Sequence, residues 1–215
     1  MVKDLLKSKA VEKRLLEPEV DIDLESAFLL VRDMPYTRAS SRDPETTIRE
    51  WRGTCSGKHY LLKQLFAELG YSSRLIACTT VAQINPKSVR GKLREILEQS
   101  NGRFVDVHNY LLLDLPQAQM IVDATWPIST DGMGTVVNKR FILGQDQRIA
   151  CEPIQTWEVP EDQDPQAFKG KILRESFTNE ELEHREEFIR TLGSMTNSKW
   201  VKFIFRLERI VKGKS

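Results

Sequence analysis

The sequence is poor in cysteine and histidine, has no long apolar run, and carries no excess of charge. Each shortage narrows what the chain can be. Three cysteines in 215 residues, Cys55, Cys78 and Cys151, are too few and too oddly numbered for a disulfide framework. No stretch approaches the roughly 18 uninterrupted apolar residues of a membrane span. The opening MVKDLLKSKAVEKRLLEPEV is charged throughout and lacks the apolar centre of a signal peptide. The expectation is therefore a cytoplasmic, reducing setting in which a thiol stays free for chemistry, with no membrane partner. Lys and Arg number 32 against 31 Asp and Glu, so no broad electrostatic footprint for nucleic acid is present. There is no internal repeat and no low-complexity tract.

What is present suits a globular protein. At 40% hydrophobic over 215 residues, the chain can bury a core without a disulfide or metal staple. One domain over 1–215 is expected, with a core at 20–160, an acidic linker at 161–165, and a helical C-terminal extension over 161–215. Residues 2–16 read as a surface helix, and DLESAFLLVR at 23–32 as a better one. Residues 34–51 read as a loop with short turns. Leu62, Leu65, Phe66 and Leu69 recur at helical spacing before Gly70, which suits a helix C′ position. That helix starts near Cys55 to Gly57.

RLIACTTVA at 74–82 is β-rich and reads as a buried strand. A helix is expected over 86–100. FVDVHNYLLL at 104–113 and MIVDATW at 120–126 read as two strands of an antiparallel hairpin, and FIL at 141–143 as a short strand. Thr178 and Glu181 have the spacing of a capping box opening a helix to about Leu192. A last helix carries Trp200, Phe203, Ile204, Leu207 and Val211 on one face. Helices at both ends around a run of strands give an α+β pattern.

Three residues stand out chemically. Cys55 lies among the small residues Gly53, Thr54 and Ser56, at the start of a helix. There the unpaired N–H groups and positive dipole end favour thiolate, the nucleophilic form. The same N–H groups can face an oxyanion. His108 and Asp123 are polar groups inside apolar strands, costly to bury unless paired. If Leu113 pairs with Met120, His108 and Asp123 share one face of the hairpin as diagonal neighbours. A one-residue slip would separate them.

The motifs WRGTCSGKHYLLKQLFAELGY, VDVHNYLLL and IVDATWP resemble the core motifs of the transglutaminase-like superfamily, which shares these elements with papain-like proteases and arylamine N-acetyltransferases. The resemblance covers roughly residues 50–127. It implies a papain/transglutaminase-like α+β core with an antiparallel sheet, and Cys55 as nucleophile. His108 would be general base and acid, and Asp123 would orient the imidazole. The implied reaction is acyl transfer through a thioester, from an amide, ester or thioester of a small molecule or peptide to an amine. Water as acceptor would make it an amidase or peptidase, and a blocked cleft would make it a silent binding module. No cofactor is expected, and no acidic loop of calcium-binding pattern is present.

His59, four residues after Cys55, is a candidate alternative base or substrate-pocket residue, and Trp126 a candidate substrate-stacking residue or pocket wall. Cys55 and His59 with Cys78, Cys151 or His184 lack the paired spacing of a zinc site, so no metal is expected. Cys78 is expected in the core. Lys58, Lys63 and Arg52 could draw an acidic substrate, but a solvated helix face is the simpler reading.

Overall fold

The computed structural model describes residues 1–132 and 134–195. The expected final helix with Trp200 and Phe203 lies outside the described residues. In chain order the elements are α1 (Val2–Glu12), α2 (Leu24–Asp33), α3 (Pro44–Glu50), α4 (Cys55–Glu68), β1 (Ser73–Gln83), α5 (Lys92–Gln99), β2 (Arg103–Leu115), β3 (Ala118–Val122), β4 (Gln155–Glu158), α6 (Pro165–Ser176) and α7 (Asn179–Met195). The strands form one antiparallel sheet in the order β3-β2-β1-β4, so the fold is α+β as expected.

The chain divides into two compact units, and neither is a continuous stretch. The first comprises Met1–Ile76, Asn109–Ser129 and Val136–Ala150. The second comprises Ala77–His108, the described part of Thr130–Thr135, and the described residues from Cys151 onward. The long strands β1 and β2 each contribute to both.

In the first unit α4 packs against α1, α2 and α3. Leu61, Leu62, Leu65 and Phe66 are its buried stripe, and Gly70 at φ +86° terminates it, as its position predicts. α2 is opened by a reciprocal box. Ser26 N–H donates to Asp23 Oδ1 and Asp23 N–H donates to Ser26 Oγ, each at 2.8 Å, which satisfies two donors that the first turn leaves over. Within the expected loop 34–51 lies one further helix, α3. Pro44 in its first turn needs no N–H partner, and Trp51 at φ +52° ends it. At seven residues, α3 is too short to show a periodic apolar face.

The β2–β3 hairpin pairs Leu113 with Met120 and Leu111 with Val122, the register on which the sequence argument depended. β3 stops at Val122, however, so Asp123 to Trp126 are not strand as expected. The segment FIL at 141–143 forms no strand either. Phe141 instead turns inward, its ring 5.4 Å from that of Phe28 and 6.1 Å from that of Phe66.

In the second unit, α5 and α7 face each other through Leu93, Ile96, Leu97 and Phe188, with Leu192 partly buried beside them. The helix expected over 86–100 begins only at Lys92, because Gly91 takes φ +59° and breaks the path from the short 3-10 turn at Pro86–Ser88. The capping box at α7 forms as the spacing predicts. Thr178 N–H donates to Glu181 Oε2 at 2.9 Å, and Glu181 N–H to Thr178 Oγ1 at 3.3 Å.

Candidate active site

Cys55 is the first residue of α4, with Thr54 as N-cap. The Thr54 side chain makes no capping bond, so the turn's positive end is not neutralised from that side chain. One turn on, the ring of His59 lies 2.7 Å through Nδ1 from the Cys55 carbonyl oxygen. Its Nε2 accepts the Ala124 N–H at 3.0 Å. A backbone amide can only donate, so Nε2 is bare and Nδ1 carries the proton. His59 is therefore a neutral imidazole spanning from the nucleophile candidate to the residue after Asp123. With that tautomer, the 3.7 Å separation of Nε2 from Asp123 Oδ1 is not an ion pair. His59 is fully buried, so in this conformation it does not line a substrate surface as the sequence reading expected. The i, i+4 step that suggested a shared function puts the ring on the helix's inner face.

Asp123 is pinned on every side. Its Oδ1 accepts Thr125 N–H at 3.0 Å and its Oδ2 accepts Ala150 N–H at 2.8 Å. Its own N–H donates to Gln147 Oε1 at 2.8 Å, and its carbonyl accepts Asn138 Nδ2 at 2.8 Å. The side chain's bond two residues on turns the chain out of the ladder, which explains the early end of β3. Trp126 follows and stacks at a tilt on Tyr36, ring centres 4.4 Å apart.

His108 stands in β2, at the last residue that the second unit takes from that strand. Asp114 N–H bonds Ser72 carbonyl, and Ile84 N–H bonds Gly102 carbonyl. An unbroken antiparallel ladder between these two bonds sets Cys78 opposite His108. Cys78 is buried in the core as expected. Its Sγ lies 3.8 Å from Cys151 Sγ, both thiols free. The hydrogen bond with Cys78, followed by burial, pushes the Cys151 thiol well above its ordinary value. Cys151 is accordingly a poor nucleophile in this state.

Two polar groups emerge that the sequence reading did not assign to the interior. Asn109 accepts from Ser56 Oγ at 3.0 Å and reaches the Ile76 carbonyl at 3.4 Å, tying α4 to the sheet. An amide in the apolar run after His108 was the available signal. Lys58, assigned above to a solvated face, is completely buried. Its Nζ donates to the carbonyls of Arg32 at 2.8 Å and Thr125 at 3.0 Å. Nothing in a helix pattern of alternating charge and apolar residues marks that outcome.

Burial pushes the Lys58 ammonium down from 10.5 to about 7, although Asp33 and Asp123 pull the other way. A neutral amine still has two N–H groups for its two carbonyls. Between about pH 7 and 10.5 the unfolded chain holds the proton more tightly than the folded one, so stability rises with pH across that window. Wild type is expected to gain up to about 1.4 kcal/mol per pH unit relative to Lys58→Met. Urea unfolding at pH 7, 8 and 9 measures this. Equal slopes for the two proteins would rule out the buried amine as its source.

Among the described residues no helix is long and apolar enough to cross a membrane, and no group of three or more His, Cys, Asp or Glu is set to hold a metal ion. Comparison with protein-family models, with curated proteins and with solved structures found no match to the chain.

Proposed function

We propose that this chain is a cysteine-dependent acyl-transfer enzyme with Cys55 as nucleophile, His108 as base and acid, and Asp123 as the residue that orients it. The observation that carries this reading is the His59 bridge. It fixes the backbone of Cys55 against that of Ala124, so a helix-start cysteine and a pinned carboxylate are held by one buried ring. The β2–β3 register pairs Leu111 with Val122, the residue before Asp123, as the motif reading requires. The chain order Cys, His, Asp and the three motifs support the same roles by resemblance.

In the proposed reaction the Cys55 thiolate adds to an amide, ester or thioester carbonyl carbon. Charge collects on the oxygen near the first-turn N–H groups of α4. The leaving group takes a proton from His108, and a thioester forms. An amine or water then gives its proton to His108, attacks the thioester and expels the thiolate.

A second reading is favoured by burial. Cys55 keeps 2% of its surface exposed and Asp123 2%, which also fits a module that has the constellation but no turnover. Thiol alkylation at Cys55 against pH, in wild type and in His108→Ala, separates the two. The enzyme reading expects a reactive thiolate well below the ordinary value of about 8.5, with reactivity at pH 6.5 falling at least tenfold in His108→Ala. A thiol that is unreactive, or that titrates near the ordinary value in both proteins, favours the silent module.

A further inference from the structure

Beside the first turn of α4 lies a narrow crevice lined by Arg38, Arg42, Thr47, Gly53, Thr54 and Gly57, among others. Its cavity volume is about 10 Å³. That is room for one oxygen atom, with the rest of any larger group left at the mouth. Neither glycine takes a positive φ, so backbone conformation does not require them. A Cβ on Gly57 would stand 3.2 Å from Thr47 Oγ1, and one on Gly53 3.2 Å from the Thr47 methyl. The missing side chains keep the space over Thr47 open.

Three features give this space one electrical character. Thr47 is fully buried and its Oγ1 has no hydrogen-bond partner, an orphaned donor that costs about 1–3 kcal/mol unless a ligand or water meets it. α4 is 14 residues long and begins here, and the Gly57 N–H in its first turn has no acceptor within the helix. Arg42 forms no ion pair among the described residues. The nearby carboxylates are otherwise engaged: Asp43 with Ser41, Glu45 with Arg49, and Glu50 with Ser40 and Arg52.

We infer that this crevice is an anion subsite, which takes one oxygen of a carboxylate or phosphate belonging to the molecule that Cys55 acts on. Thr47 Oγ1 and the helix start meet that oxygen, and Arg42 neutralises the group at the mouth. This assignment of an acidic substrate rests on the acyl-transfer reading, but the subsite itself can be tested without catalysis.

The test is a titration of the ¹⁵N-labelled full chain with sodium glutarate and, separately, with sodium phosphate, at constant ionic strength. The amide signals of Gly53 and Gly57 are followed. The expected result is saturable movement of both with at least one anion, and the anion that moves them identifies the group. Affinity should fall tenfold or more in Arg42→Gln and in Thr47→Val. It should hold within twofold in Arg94→Gln, an exposed substitution in the second unit with the same charge change. The amide spectrum of each variant reports whether it is folded. No saturable movement, or an equal loss in Arg94→Gln, overturns the inference and leaves a structural water as the occupant. Anion binding with an unreactive Cys55 would sink the enzyme reading alone, and a reactive Cys55 without anion binding would sink the subsite alone.

Discussion

Asp123→Ala is expected to lower the unfolding free energy by about 3–5 kcal/mol, apart from any effect on chemistry. The carboxylate is 2% exposed and accepts the backbone N–H groups of Thr125 and Ala150. Removing it leaves the buried Thr125 N–H and the half-buried Ala150 N–H without partners, at about 1–3 kcal/mol for a fully buried donor, and opens a small cavity. Asp123→Asn retains an oxygen for one N–H but turns an NH₂ toward the other, so it should lose only about half as much. Urea unfolding of the three proteins measures the order. If Asp123→Ala unfolds within 1 kcal/mol of wild type, the carboxylate is not the clamp described here. The pair also guards the catalytic test. A loss of Cys55 reactivity in Asp123→Asn, in a protein that remains folded, bears on orientation of the imidazole rather than on the loop.

Asp106→Asn should have an effect of similar size in the second unit. Asp106 Oδ1 lies 2.8 Å from Arg185 Nε, 2.5 Å from Arg185 Nη2 and 3.7 Å from Lys169 Nζ, and all three side chains are largely buried. Deleting one partner of such a cluster leaves buried cations poorly compensated, typically at about 3–5 kcal/mol. Burial alone would raise the Asp106 carboxyl, but the charges of Lys169 and Arg185 outweigh it and hold it below its ordinary 3.8. A carboxyl depressed on folding contributes stability above its unfolded value and loses it as pH falls through the folded one. The gap between wild type and Asp106→Asn should therefore be widest near pH 6 and shrink below about pH 4. A gap that stays constant from pH 6 to pH 2.5 would assign the loss to packing instead.

Periodicity and punctuation were legible in the sequence. The apolar stripe of α4 and its end at Gly70, the box at Thr178 and Glu181, and the hairpin register around Leu113 and Met120 all depend on neighbours in the chain or on strict two-residue alternation. Local rules decide such features. The sequence also marked Cys55 at a helix start, since small residues ahead of an apolar stripe are a local signal.

The rest was settled by groups far apart in sequence. Lys58 reads as a surface charge until the carbonyls of Arg32 and Thr125 close around it. His59 reads as a pocket residue until Ala124 N–H takes its second nitrogen. Asp123 reads as strand until Ala150, 27 residues on, supplies the N–H that fixes its carboxylate. Burial of a polar group is favourable only when distant partners satisfy it. Sequence alone therefore determined the course of α4, the start of α7 and the hairpin register, and the tertiary structure decided which polar side chains turn inward and what they hold.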